Sequence, residues 1–189
     1  RLIAHSAEPM VVQGDFMTLY HWLNALPAPV LHSHLRLLLM QAWTHFLVEP
    51  YGATAVETIL REAEAVLDVE APAPAEHNEL RGIVAAIRSA VAGNQEDRAR
   101  AIDLAEAALT LLPADNLFWR IIPTVNLGLA YDAGGAVAVA SARFTEAVAM
   151  ARRAGNAYVT LIAIIHLARV QVEQGQLHAA VDLYREALT

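Results

Sequence analysis

Apolar residues recur along the chain at the spacing of one face of an α-helix, and Gly or Pro interrupts the pattern at short intervals. No segment shows the alternation of apolar and polar residues that a half-buried strand requires. The segment 117–133, for example, follows a helical period and ends at Gly134, with Asp115 or Asn116 placed to cap its start. The pattern predicts helices over 15–25, 31–48, 53–67, 79–92, 95–112, 117–133, 137–154, 157–174 and 177–188, with residues 1–13 as the tail of an earlier helix.

An internal repeat joins the last four predicted helices. The segment from Asn126 to Ala147 is matched, position by position, by the segment from His166 to Ala187, 40 residues later. The matching pairs are Gly128 and Ala168, Gly135 and Gly175, Ala140 and Ala180, and Phe144 and Tyr184. This order predicts a helix hairpin, in which a small residue allows close approach, a glycine forms the turn, and an aromatic ring is wedged against the next hairpin.

A weaker copy of the repeat lies upstream, where Ala101, Ala105 and Ala108 correspond to Ala140, Phe144 and Ala147 without the aromatic ring. The spacing is that of a tetratricopeptide repeat, slightly longer than its usual period. We therefore expect an all-α, tetratricopeptide-like, right-handed superhelix of about ten helices in antiparallel hairpins. We expect a single domain over 1–189, with a soft boundary at 69–76, where the only linker-like segment lies.

Composition and charge limit the possible functions. Of 189 residues, 38 are alanine and 25 are leucine, the strongest helix formers, and 56% are hydrophobic, which excludes disorder. The net charge is −7 and every one of the 13 basic residues is arginine, so the chain lacks the basic surface that duplex DNA or an anionic membrane requires. There is no cysteine, and the longest apolar run is too short to span a bilayer.

Several short segments follow one another in a characteristic order. They are Leu23–Pro27 (LNALP), Leu35–Trp43 (LRLLLMQAW), Leu80–Ile87 (LRGIVAAI), Asn126–Ala130 (NLGLA) and Ala151–Asn156 (ARRAGN). Together they resemble the helical-repeat sensor region of MalT-like, ATP-dependent transcription regulators of the LuxR class. The resemblance covers nearly the whole chain.

The resemblance implies a non-catalytic domain of a cytoplasmic bacterial regulator, placed between a nucleotide-binding module and a helix-turn-helix. Such a region would bind a small-molecule inducer or a protein or peptide partner, and would influence oligomerisation. The sequence contains neither a phosphate-binding loop with its lysine nor a basic recognition helix. We therefore expect the chain to be part of a longer protein, with no cofactor and no direct nucleic-acid contact in this part, and with ATP hydrolysis and DNA binding in flanking domains.

Two other functions are compatible with the same repeats. One is a general protein–protein interaction scaffold unconnected to transcription, and the other is a helical accessory domain of a multidomain enzyme. Apolar end faces, for which 134–140 and 161–165 are candidates, also make a homo-oligomer possible.

Polar residues on the first helix of each hairpin are the candidates for ligand binding, because these helices line the concave face of such an array. The candidates for contact with a ligand or partner are Arg88, Asn126, Asp132, His166 and Arg169. Structural roles compete with this hypothesis: Asn126 can tie neighbouring hairpins together, Arg169 can lie in solvent, and His166 is compatible with either role. The eight histidines lack metal-ligand spacing, and no nucleophile motif occurs, so we expect neither a metal site nor an active site.

Overall fold

The structure is a computed structural model that describes residues 2–49 and 52–187, with side chains described from Ser6 onward. These residues form eleven α-helices joined by short turns. The helices are α1 (Leu2–Val12), α2 (Phe16–Ala25), α3 (Ala28–His32), α4 (Leu35–Val48), α5 (Ala53–Glu70), α6 (Pro74–Asn94), α7 (Arg98–Leu111), α8 (Leu117–Ala133), α9 (Val137–Arg153), α10 (Ala157–Glu173) and α11 (Leu177–Ala187). The prediction of an all-α fold is confirmed, with one helix more than expected.

The extra helix arises because the segment predicted as one helix over 31–48 is divided. The chain leaves the helical conformation at His34, which has φ −141° and ψ 77°. The Ser33 hydroxyl donates to the carbonyl of Val30 and so caps the short α3. The separate α4 that follows is buried along most of its length.

Helices α5 and α6 are longer than the apolar pattern predicts. α5 continues to Glu70, and α6 already begins at Pro74, which occupies the first turn, where a missing N–H costs nothing. Only 71–73 connects them, and Ala71 ends α5 with a left-handed φ of 41°. The predicted soft boundary at 69–76 is therefore mostly helical. At the other end of the chain, Leu188 of the predicted last helix lies outside the described residues.

Consecutive helices pack as antiparallel hairpins: α4 with α5, α6 with α7, α8 with α9, and α10 with α11. The first helices of neighbouring hairpins also touch directly, because α4 contacts α6, α6 contacts α8, and α8 contacts α10. Three polar contacts between first helices join residues that are 37 positions apart: Asn116 with Glu79, Asn126 with Ser89, and Arg169 with Asp132. A constant offset means that these helices run parallel in a fixed register, as expected for stacked repeats.

The N-terminal hairpin spans the array rather than extending it. α1 contacts α4, the first of the stacked first helices, and also α10, the last of them. The ring centroids of Phe16, at the start of α2, and Tyr158, at the start of α10, are 5.7 Å apart. Because one short segment reaches both α4 and α10, the row of first helices must be curved.

The apolar core forms two clusters that meet at α8. One cluster extends from α1 to α7 and includes Trp119 and Ile122, whereas the other extends from α8 to α10 and includes Ile121 and Val125. Neighbouring residues of α8 therefore belong to different clusters, and this helix joins the degenerate upstream repeats to the regular ones. Within the described residues no helix is long and apolar enough to cross a membrane.

The predicted wedge at Phe144 is confirmed. Its ring is fully buried between Gly128 of its own hairpin and His166 of the next one, on which it stacks with a centroid distance of 5.3 Å and an interplanar angle of 15°. A Cβ atom at Gly128 would lie 2.5 Å from Cε1 of this ring. The equivalent Tyr184 is 40% exposed, because no helix follows α11 within the described residues.

The turn between α6 and α7 differs from its counterparts. Gly135 and Gly175 occupy the left-handed position of the later turns, with φ of 74° and 75°, and Glu96 occupies the same position with φ 61°. An L-residue in this conformation costs roughly 1–2 kcal/mol, because Cβ crowds the backbone. Asp97 then caps α7 by accepting a hydrogen bond from the Arg100 amide.

Substitution of Gly128 by alanine is expected to destabilise the fold by about 1–3 kcal/mol, because the new methyl group must displace the buried Phe144 ring. Gly93→Ala in α6 is the matched control, since a Cβ there meets no atom within 4 Å and alanine favours a helix. Urea unfolding monitored by circular dichroism measures both effects. Equal midpoints for the two variants would contradict the close approach.

Glu96→Gly is expected to stabilise the protein by about 1 kcal/mol, because glycine adopts the left-handed conformation without strain. The reverse substitution, Gly135→Glu, places the same strain in the next turn and is expected to cost a similar amount. Thermal unfolding of the two variants checks the pair. A lower melting temperature for Glu96→Gly would show that the carboxylate side chain stabilises this turn.

Candidate functional site

An open cavity of about 740 Å³ lies along the first helices of the array. It is bounded by α4, α6, α8 and α10, together with the turn from α6 to α7 and the start of α7, and we call it the inner groove. Most of its surface is apolar, and three aromatic residues, Trp43, Phe46 and Tyr158, contribute to it. Its polar residues are Asn94, Glu96, Arg98 and Asn126. First helices line this groove, and binding in it stays a prediction.

The two ends of the inner groove differ because the first helices are parallel. Trp43, Phe46 and Leu47 belong to the last turns of α4, and Gly93 and Asn94 to the last turn of α6. The C-terminal part of α8 closes the same end. The contribution of α10 comes instead from its first turns, at Tyr158, Val159 and Ile162. The negative C-terminal ends of the α4, α6 and α8 dipoles therefore lie at one end of the groove. The positive N-terminal end of the α10 dipole lies at the other.

Asn126 lies in the inner groove and is held by a short hydrogen-bond chain. The Ser89 hydroxyl donates to the carbonyl of Ala86, so its oxygen accepts a hydrogen bond from Asn126 Nδ2 at 2.7 Å. The amide is thereby oriented, and within the described residues its Oδ1 atom receives no hydrogen bond. The predicted tie between hairpins is present, and the same side chain leaves an acceptor for a ligand.

Asp132 and Arg169 are brought together outside the inner groove. The guanidinium of Arg169 donates to the Asp132 carboxylate across the α8–α10 contact and to Glu173, one turn further along α10. Asp132 is only 10% exposed, whereas Arg169 is 44% exposed. Hydrogen bonding to Asp132 raises the pKa of Arg169. The pair cross-links two repeats, and its contact with a ligand stays a prediction.

His166 packs on Phe144 at the junction of two hairpins. Its Nδ1 atom is buried and has no hydrogen-bond partner among the described residues. Burial, followed by the nearby charge of Arg169, lowers the pKa of His166 below 6.5, although Asp132 acts in the opposite direction. The neutral imidazole serves as a flat aromatic spacer, and a role of His166 in ligand binding stays a prediction.

Arg88 faces α5 and not the inner groove. Its guanidinium donates four hydrogen bonds, two to Glu57 and two to Glu64, at 2.7–3.1 Å. These bonds raise the pKa of Arg88, with Glu64 the larger contributor. Burial, the largest single effect, raises the pKa of Glu57, but the hydrogen bonds and charges of Arg88 and Arg61 together outweigh it and the pKa is lowered. Arg88 also lines a second cavity of about 270 Å³ with Arg61 and Arg100.

The sequence-based selection missed the apolar and aromatic residues that form most of the inner groove. Trp43 and Phe46 lie on α4, whose hairpin carries no repeat motif, and their rings stack at 5.2 Å. Leu129, one helical turn beyond Asn126, lines the groove and is 37% exposed. The sequence signal that could have found this surface is a leucine one helical turn after Asn126 on a predicted first helix. Among the described residues no group of three or more His, Asp or Glu side chains is placed to hold a metal ion.

The fold and the repeat define a tetratricopeptide-like helical array, and comparison with known proteins identifies its family. The model of the MalT-like TPR region matches residues 82–189, more than half of the chain. The chain belongs to this family. No solved structure matches it significantly.

Two curated relatives illustrate the similarity. The HTH-type transcriptional regulator MalT of Yersinia pestis (strain Pestoides F) is 32% identical over 174 residues, which cover 92% of this chain and 19% of the relative. The regulator of the same name from Klebsiella pneumoniae (strain 342) is 32% identical over 186 residues, which cover 98% of this chain and 20% of the relative. The chain thus spans about a fifth of the length of these relatives.

His166→Phe tests whether the neutral imidazole is required. A histidine with a lowered pKa contributes stability that is present above pH 6.5 and is lost as the pH falls from there toward the folded-state pKa. Phenylalanine keeps the stacking on Phe144 and removes the buried unpaired nitrogen, so we expect equal or greater stability at pH 8. The variant should also lose less stability than the wild type between pH 8 and pH 5.5.

The measurement is the urea midpoint of each protein at several pH values, and the difference between the two proteins isolates His166 from other titrating groups. His178→Phe on α11 is the control, because that histidine is exposed. An unchanged pH dependence in His166→Phe would exclude the neutral-imidazole role.

Proposed function

We propose that this chain is the non-catalytic, effector- or partner-binding region of a transcription regulator, and that the inner groove is its binding site. The observation that carries the proposal is the groove itself: an open, mainly apolar cavity of about 740 Å³ formed by four first helices of one array. Its volume lies in the range of ligand sites, and its composition, apolar with a few oriented polar groups, is typical of them.

Binding in the groove would act on the whole array, because its walls come from several repeats. A ligand that touches α4, α6, α8 and α10 together favours one relative placement of these helices over others. Polar contacts couple each first helix to the next, at a 37-residue offset between α6 and α8 and between α8 and α10, and through Arg36 and Glu79 between α4 and α6. The proposed mechanism is therefore a shift between two curvatures of the array, transmitted to flanking nucleotide-binding and DNA-binding domains of the same protein.

The names of the relatives support the regulatory setting, since they are called HTH-type transcriptional regulators. We propose that catalysis, any cofactor and nucleic-acid contact belong to other parts of such a protein, and that it acts in the cytoplasm. Asn126 is the first of the five sequence-predicted residues that we assign to ligand contact, because it alone of them lines the inner groove. Arg88, Asp132, His166 and Arg169 would act through the packing of the helices.

A second candidate function, a general protein-interaction scaffold or self-associating array, is favoured by a different observation. Large apolar side chains are exposed on the last two helices, among them Ile165 (44%), Leu177 (57%) and Val181 (46%). Exposed apolar patches of this kind mark protein-interaction surfaces. In this case binding would depend on α10 and α11 and not on the inner groove.

Leu129→Arg tests the choice between the two surfaces, because it places a charged side chain in the inner groove at a partly exposed position. Leu161→Arg is the matched control, since Leu161 is similarly exposed (41%) on α10 and does not line the groove. Thermal-shift screening of sugars, nucleotides, apolar amines, apolar acids and short peptides supplies ligands, and calorimetry measures their affinities. We expect at least about tenfold weaker binding to Leu129→Arg and unchanged binding to Leu161→Arg.

Equal affinities of both variants for every ligand found would refute the groove as the binding site. Loss of binding or of self-association in Leu161→Arg alone would favour the scaffold function.

A further inference from the structure

We infer that the inner groove selects an apolar ligand that carries a cationic amine, and that the amine lies beside Glu96 at the end of the groove where α4, α6 and α8 terminate. This inference rests on the proposed function, because it specifies the ligand of the same groove. Four features of the described residues favour a positive over a negative charge on the ligand.

The first feature is the carboxylate of Glu96. It lines the inner groove, and no ion pair joins it to a cationic side chain within the described residues. It stands at the left-handed turn position that Gly135 and Gly175 hold in the later repeats. The backbone is therefore strained at the one position where a carboxylate enters the groove, whereas the later turns have glycine at the same position.

The second feature is the direction of the helices. The last turns of α4, α6 and α8 reach the groove at the end that carries Glu96. Each helix C-terminus carries about half a negative charge, and the charge acts within roughly its last turn. No basic side chain lies in the last turn of α6 or α8. A ligand cation at this end is thus attracted by the carboxylate and by the dipoles of α4 and α6, whereas Arg98 faces the C-terminal end of α8.

The third feature is the orientation of Asn126. Its Nδ2 atom is engaged by Ser89, and Oδ1 is left as an acceptor. Asn126 lies in the middle of α8 and offers the ligand an acceptor but no free donor, so a ligand carboxylate would find no partner there.

The fourth feature is the long-range field. The chain has a net charge of −7, which favours the approach of cations and disfavours anions. Arg98 is the cation that opposes this preference locally. Its Nη1 atom lies over Gly134, where a Cβ atom would come within 2.9 Å of it, at the C-terminal end of α8. Its charge is therefore placed against the α8 dipole, and Glu96 remains unpaired.

The rest of the groove determines the apolar part of the ligand. Ile122, Val125 and Leu129 of α8 form its middle, and Tyr158 and Ile162 of α10 its far end. These residues offer few hydrogen bonds, so a sugar or nucleotide would lose solvation without compensation. A flexible hydrocarbon body with one terminal amine matches both the apolar length and the negative end.

A matched set of probes tests this inference: decylamine, decanol and decanoate, which share one hydrocarbon chain and differ in charge. Binding to the full chain is measured by calorimetry at pH 7 and low ionic strength, below the concentrations at which the probes form micelles. We expect decylamine to bind about two- to fivefold more tightly than decanol, and decanoate to bind more weakly than either, as an ion pair with the exposed Glu96 carboxylate predicts. The preference for the amine should decrease as salt is added.

Two variants of opposite sign localise the effect. Glu96→Gln should lower the affinity for decylamine to that for decanol, and Arg98→Gln should raise it. Glu70→Gln is the control, because Glu70 is an exposed carboxylate at the end of α5, outside the groove lining. Circular dichroism and thermal unfolding verify that each variant is folded.

The outcomes separate this inference from the proposed function. If decanol binds, Leu129→Arg abolishes that binding, and decanoate binds as tightly as decylamine, the groove is a binding site and the cation preference is refuted. A similar effect of Glu96→Gln and Glu70→Gln on decylamine affinity would also refute it. If none of the three probes binds, the inference fails, while the ligand screen with the Leu129 and Leu161 variants still decides the proposed function.

Discussion

The close stacking of successive hairpins is the constraint on which the rest of this structure depends. It requires that α8 present no side chain at Gly128, so that the Phe144 ring can fill the space between two hairpins and meet the flat face of His166. The resulting repeat spacing sets the register of α6, α8 and α10, whose polar contacts recur at an offset of 37 residues. The inner groove exists because these helices are held parallel at a fixed separation, with their inward side chains left uncovered.

Most of the helical architecture could be predicted from the sequence because its signals are local. The boundaries of α8, α9 and α10 follow from turn glycines and from the capping side chains of Asn116 and Asn156, which the structure confirms. The errors occur where a side chain or a turn overrides the apolar pattern. His34 interrupts an otherwise continuous apolar run, and Pro74 starts α6 five residues before the predicted start at residue 79. Neither effect is visible in periodicity alone.

The site was less predictable, because it is a property of how helices from different repeats meet. The sequence identifies Asn126 as a polar residue on a first helix, but the amide's orientation depends on Ser89 of the preceding repeat. Arg88 has the same pattern in the sequence, yet it turns toward Glu57 and Glu64 of α5. The side on which such a residue lies depends on the rotation of each helix about its axis. That rotation is set by contacts between hairpins far apart in the chain.

The position of α1 and α2 has a mechanical consequence. An open row of helical repeats behaves as a spring, in which a change of curvature is shared by small adjustments at every junction. Here the N-terminal hairpin bridges the two ends of the curved row of first helices. α1 contacts both α4 and α10, and the Phe16 ring contacts Tyr158. This bridge resists gradual bending, because any change in the curvature of the array must first shift or break the contacts of α1 and Phe16 with α10. The elasticity of this array is therefore governed by one short element at its N-terminal end, and its shape changes should be abrupt rather than graded.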